Sequence, residues 1–152
     1  MKKLLVVLAF AMLAVMPSAF SQGWGLGARF GYWDGTAFSL DVKKYNGGNA
    51  LEFIGSLFYG DDAFEVAGLY EWNKELGNGF NFYYGCGASV GMWPGNKHNT
   101  DFGLGIDGIL GVEWFLPNNI PFSLALDWMP QLRLIPNTGF WGNFSFTVKY
   151  VF

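Results

Sequence analysis

The sequence predicts an all-β protein: an eight-stranded antiparallel up-and-down transmembrane β-barrel at residues 22–152, preceded by a cleaved signal peptide at residues 1–21. Three observations predict it. Hydrophobic residues alternate with small or polar ones through eight successive segments, turn-forming clusters separate those segments, and the charges within them fall on the parity opposite the apolar one. Successive side chains of a strand point to opposite faces, so repeated period-two patterning argues for strands and against helices.

The N-terminus is read first, because a targeting segment carries no fold information. Met1-Lys2-Lys3 is basic, Leu4 to Met16 is an apolar run, and Ala19 and Ser21 supply small residues at the −3 and −1 positions of a cleavage site before Gln22. That is the pattern of a secretory signal, and its apolar run is too short to span a bilayer as a helix. No cysteine follows the run, so no lipid anchor is indicated. What remains suits one domain.

Composition narrows the class. Without Lys2 and Lys3, the nine basic residues fall to seven against twelve acidic ones, a net of −5. That balance excludes a nucleic-acid partner. The single Cys86 allows no internal disulfide, and the single His98 allows no multi-histidine metal site. Only 14% of residues are charged while 20% are aromatic, an unusual surface for a soluble domain. Yet no segment after residue 21 is apolar for long enough to cross a membrane as a helix.

The segments run Trp24–Trp33, Thr36–Lys43, Ala50–Tyr59, Phe64–Asn73, Phe80–Trp93, Phe102–Phe115, Phe122–Arg133 and Trp141–Phe152. Between them lie Asp34-Gly35, Asn46-Gly47-Gly48-Asn49, Asp61-Asp62, Gly77-Asn78-Gly79, Pro94-Gly95-Asn96, Pro117-Asn118-Asn119 and Pro136-Asn137-Thr138-Gly139. Glycine and asparagine tolerate positive φ and proline pre-sets a turn, so each cluster is a turn signal with a mechanism.

One parity reads Trp24, Leu26, Ala28, Phe30, Tyr32 in the first segment and Phe144, Phe146, Val148, Tyr150, Phe152 in the last, with the same character between. The other holds Arg29, Asp41, Lys43, Glu52, Glu65, Glu71, Asp107, Glu113, Asp127, Arg133 and Lys149, interleaved with glycines. Turning the apolar parity inward would overfill a narrow barrel and leave an outer surface of glycine with sparse charge, against the quarter to third or so expected of a soluble surface. Turning it outward to lipid lets glycines and paired charges fill a lumen only wide enough for side chains. Closure also satisfies every backbone group where no water is available. An even strand count then puts both termini on the periplasmic side. Trp24, Trp72, Phe80, Trp114, Phe122 and Phe152 fall at the periplasmic strand ends as an aromatic girdle.

With these features the chain resembles the small eight-stranded outer-membrane proteins of Gram-negative bacteria, the family of OmpX-type barrels and OmpA-type membrane domains. Members end on an aromatic residue preceded by alternating hydrophobics, matched here by Tyr150 and Phe152. The family pattern has a glycine five residues before the end, where this chain has Thr147. The resemblance implies the bacterial outer membrane as location, and outer-membrane lipid and lipopolysaccharide as surroundings. It also implies recognition of Tyr150 and Phe152 by the barrel-assembly machinery, and a monomer.

Chemistry is sparsely signalled. The eleven inward charges are expected to form a side-chain ion network that plugs the lumen, with Lys149 directed at carboxylates such as Glu113 or Glu71; the alternative is a narrow proton or ion path. Some barrels of this kind modify lipid A with a rim histidine and a serine. His98 in "WPGNKHNTDF" has no serine in an outer loop to activate, and a serine nucleophile needs its base within hydrogen-bond reach. Asp61-Asp62 is a weak cation motif, and "GWGLG" and "GCG" lie within strands with no helix to follow, so no nucleotide or other cofactor is expected. The reading is a non-enzymatic barrel with an envelope-stabilising or surface-interaction role, against the alternatives of a lipid A-modifying enzyme or a very narrow pore.

Overall fold

The computed structural model describes residues 23–33, 36–59, 63–94 and 100–152. The expected signal peptide, Asp34-Gly35, Asp61-Asp62 and His98 lie outside the described residues.

Eight strands follow in chain order: β1 Trp24–Trp33, β2 Thr36–Asn46, β3 Asn49–Tyr59, β4 Ala63–Gly77, β5 Phe80–Pro94, β6 Thr100–Phe115, β7 Phe122–Ile135 and β8 Gly139–Val151. Each pairs antiparallel with its neighbour in sequence, and β8 returns to β1, closing the barrel. The closing ladder runs from Gly25 opposite Val151 to Trp33 opposite Asn143. At its end Gly23 and Trp24 N–H both donate to the Phe152 carbonyl at 3.0 Å.

Two ladders run further than the alternation predicts. β2 and β3 stay paired to Asn46 opposite Asn49, and β4 and β5 to Gly77 opposite Phe80. The turns are tighter than their clusters suggest. Asn78 and Gly79 take φ of 54° and 81°, the left-handed pair of a two-residue hairpin whose twist matches that of its strands. The β6–β7 ladder is broken instead: Asp107 pairs Gln131 and Leu110 pairs Trp128, and between them lie Met129 and Pro130. Proline has no N–H to give a ladder.

The two faces divide as the parity requires. Phe30 is 55% and Tyr32 74% exposed on the outer wall, with Phe53, Leu57, Phe102 and Leu126 also outside. Inside, Lys43, Glu52, Glu71, Glu113 and Lys149 are 0% exposed. Polar residues thus fill the centre and aromatic and aliphatic ones the surface, the reverse of a water-soluble domain. The apolar part of the interior is a small layer of Ile54, Ala67, Leu69, Tyr83, Ile109 and Ala125.

Glycines on the inner parity make room for large neighbours. A Cβ on Gly111 would stand 2.6 Å from Tyr83 Cζ and 2.5 Å from Asp127 Cβ. One on Gly27 would meet Lys149 Cγ at 2.7 Å, and one on Gly103 would meet Trp93 Nε1 at 2.7 Å. Gly111→Leu is therefore expected to destabilise by about 1–3 kcal/mol through overpacking. Urea unfolding in lipid vesicles checks it; an unaltered midpoint would mean that Tyr83 has space to retreat.

Candidate functional site in the barrel lumen

The inward charges sort into three levels between the end that carries the chain termini and the opposite mouth. Nearest the termini, two lysines meet four carboxylates. Lys43 Nζ lies 2.6 Å from Glu71 Oε2 and 3.5 Å from Glu113 Oε2. Lys149 Nζ lies 2.8 Å from Glu52 Oε1, 3.2 Å from Asp41 Oδ2 and 3.9 Å from Glu113 Oε1. Glu113 also accepts from Tyr45 OH at 2.7 Å and from Ser123 Oγ at 2.6 Å. Charges removed from water are tolerated only when paired and hydrogen-bonded in this way.

At the middle level the Arg29 guanidinium grips Asp127 with both terminal nitrogens, Nη1 at 3.0 Å from Oδ2 and Nη2 on Oδ1. Two parallel N–H···O bonds match the planar fork to the carboxylate. Tyr83, fully buried, links the two levels. Its hydroxyl donates to Asp127 Oδ2 at 2.7 Å, while its ring lies 4.1 Å from Lys43 Nζ and 6.0 Å from Lys149 Nζ. An ammonium over an aromatic face is attracted by the ring quadrupole.

The upper level departs from the expected network. Glu65 and Asp107 have no cation within ion-pair distance among the described residues. Glu65 Oε2 instead accepts from Gln131 Nε2 at 2.9 Å, and Gln131 Nε2 also reaches Ser89 Oγ at 2.8 Å. Arg133, expected in the network, stands at the mouth, half-buried and forming no ion pair among the described residues. Its guanidinium carbon is 3.8 Å from the Trp93 ring centroid and 5.0 Å from that of Trp141. Phe58 packs on Trp93 at 4.8 Å. The last strand residues before the mouth supply an aromatic cap, and the guanidinium stacks there rather than descending to a carboxylate.

One of the two expected partners of Lys149 is met, Glu113 at 3.9 Å, and the other is not. Glu71 belongs to Lys43, and Glu113 is the most distant of the three carboxylates around Lys149. Gly27 stands opposite Lys149 on β1. With no side chain there, the lysine lies over β1 and reaches Asp41 on β2 and Glu52 on β3.

A ring closed by eight antiparallel strands, apolar outside and ion-paired within, can be compared with solved proteins. The N-terminal β-barrel domain of Pseudomonas aeruginosa OprF superposes with a TM-score of 0.74 at 9% identity, over 87% of this chain and 98% of that one. The chain has the fold of the small eight-stranded outer-membrane barrels. Neisserial surface protein A aligns with a TM-score of 0.58 at 12% identity, over 85% of this chain and 94% of that one. A de novo designed transmembrane β-barrel aligns at 0.57 and 8% identity, over 88% of this chain and 98% of the other. The sequence matches no protein-family model and no curated protein.

On the outer wall of this outer-membrane barrel fold, aromatic rings gather at the termini end. Phe80 stacks on Trp114 at 5.6 Å, Trp72 on Tyr84 at 5.6 Å, and Tyr150 on Phe152 at 5.7 Å. Phe122 meets Tyr150 edge-on at 5.5 Å, and Lys44 Nζ lies 4.7 Å over the Trp24 ring. Rings and a snorkelling lysine at one level suit a boundary between hydrocarbon and water. Cys86 is exposed on the same wall.

Several interior residues were not singled out from the sequence: Tyr45, Tyr83, Ser89, Ser123 and Gln131 in the lumen, and Phe58, Trp93 and Trp141 at the mouth. All stand on the charge-bearing parity. A large aromatic such as Tyr83 between the glycines and small residues of β5 was the signal that could have found it.

Proposed function

We propose that this protein is an integral outer-membrane barrel, monomeric and non-enzymatic, with a lumen plugged by its own side chains and an envelope-stabilising or surface-interaction role. The observation that carries this reading is the inversion of its faces: an aromatic and aliphatic outer wall around fully buried ion pairs. Such a body is at home in hydrocarbon and nowhere else. The termini face the periplasm in this reading, where Tyr150 and Phe152 serve the barrel-assembly machinery. Outer-membrane lipid and lipopolysaccharide surround the wall. Short links between strands favour a compact surface over a large receptor.

The surplus of carboxylates over lysines favours a second reading, a narrow proton path through the lumen. Two measurements test both. Deleting the gene is expected to leave the lipid A mass spectrum unchanged; a shift by one acyl chain would establish an enzyme. Purified protein in planar bilayers is expected to show no steady conductance; a stable step, or a current that follows a proton gradient, would overturn the plug.

A further inference from the structure

We propose that the mouth opposite the termini is a carbohydrate subsite that holds one pyranose ring against Trp141. It deepens the surface-interaction part of the proposed function and rests on that reading. The mouth encloses a cavity of about 110 Å³, far below the roughly 300–1,000 Å³ of sites for larger ligands. A single ring is the scale it admits. Among the described residues its walls carry one carboxylate, Glu65, and one guanidinium, Arg133. These formal charges cancel, which favours a neutral ligand over an anion or a cation.

The polar groups are already oriented. Glu65 is held by Gln131 at 2.9 Å, and Gln131 by Ser89 at 2.8 Å. Trp93 holds the Arg133 guanidinium flat at 3.8 Å, so its in-plane N–H groups remain available as donors. Asn143, on the cavity wall, has Oδ1 buried with no hydrogen-bond partner among the described residues, a cost that an incoming donor would remove once the amide turns to meet it. Phe58 and Arg133 occupy the faces of Trp93. Arg133 also lies over Trp141, 5.0 Å from its ring centroid, and the 41% exposure of Trp141 leaves stacking surface beside the guanidinium. Aromatic faces ringed by fixed donors and acceptors suit a ligand with apolar C–H faces and a rim of hydroxyls, which is a pyranose. Its source is either a free glycoside or a sugar carried on a neighbouring lipid.

The test is titration calorimetry on the full barrel in phospholipid nanodiscs, free of glycoside detergents. Methyl glucoside, galactoside and mannoside are one arm, and oligosaccharide released from lipopolysaccharide is the other. At least one arm is expected to saturate, with affinity falling at least tenfold in Trp141→Ala and in Asn143→Ala. Heat-modifiable gel migration verifies that each variant is folded, and the asparagine variant decides if the tryptophan variant is not. Saturation by a simple glycoside assigns the free source, and saturation by the released oligosaccharide alone assigns the lipid-linked one. No saturation in either arm, unchanged affinity in a folded variant, or saturation by tetramethylammonium or inorganic phosphate instead would overturn the subsite. A barrel that inserts, leaves lipid A unaltered and binds no sugar would sink this inference alone.

Discussion

Lys149→Leu lowers the stability of the barrel by about 3–5 kcal/mol, the range for leaving a buried charge without its partner. Among the described residues, Lys149 is the sole cation within 4 Å of both Glu52 and Asp41. Its removal leaves two carboxylates in a space that water does not reach. Lys43 cannot compensate, since Glu71 and Glu113 already hold it. The midpoint of urea unfolding in lipid vesicles reads the loss. A triple variant, Lys149→Leu with Glu52→Gln and Asp41→Asn, is expected to recover most of it, because the orphaned charges are gone. An unchanged midpoint for Lys149→Leu alone would sink the assigned pairing.

Arg29→Met costs a similar amount, about 3–5 kcal/mol, while Arg29→Met with Asp127→Leu returns close to the parent. The pair is bidentate and buried, so each partner depends on the other, yet an apolar pair of like volume removes both desolvation costs together. Tyr83 sets the residual. Its hydroxyl loses the Asp127 acceptor in the double variant, which costs roughly 1–3 kcal/mol if no other acceptor is found. A double-mutant cycle on unfolding midpoints measures the coupling. Additive effects of the two single changes would mean that the guanidinium and carboxylate act independently, against the geometry.

The fold was legible in the sequence because a strand protein in lipid must write its two environments on alternate residues. Phe144, Phe146, Val148, Tyr150 and Phe152 on one side and Lys149 on the other state the inside and the outside within one strand. The β1 limits were also legible, since an unbroken alternation begins at Trp24 and Asp34-Gly35 follows its end. The reach of β4 to Gly77 was not. The alternation read from the sequence ends at Asn73, short of Lys74 and Glu75, whereas the left-handed pair Asn78-Gly79 lets the ladder continue past them.

Parity says that a side chain points inward and says nothing of what it meets there. Contacts across the lumen depend on the stagger of the strands and on the gaps that glycines leave. Lys149 passes over Gly27 to Asp41 and Glu52, and no spacing along β8 encodes that. Arg133 shares the inward parity with Asp127 but stands at the mouth, where Trp93 and Trp141 offer it faces. Its place was set by depth, a coordinate that alternation does not carry.

Closure has a further consequence for how the chain assembles and varies. Seven of the pairings join strands adjacent in sequence, and only β1 with β8 joins the two ends of the ring. The ring therefore pays the entropy of a long-range loop closure once. That cost grows with the logarithm of chain length, at about 0.6 kcal/mol for each doubling. Residues added to a link between strands barely alter it, and they leave every ladder and every buried ion pair in place. The interior can stay unchanged while the links take on new contacts, so stability and recognition are free to evolve on separate parts of one chain.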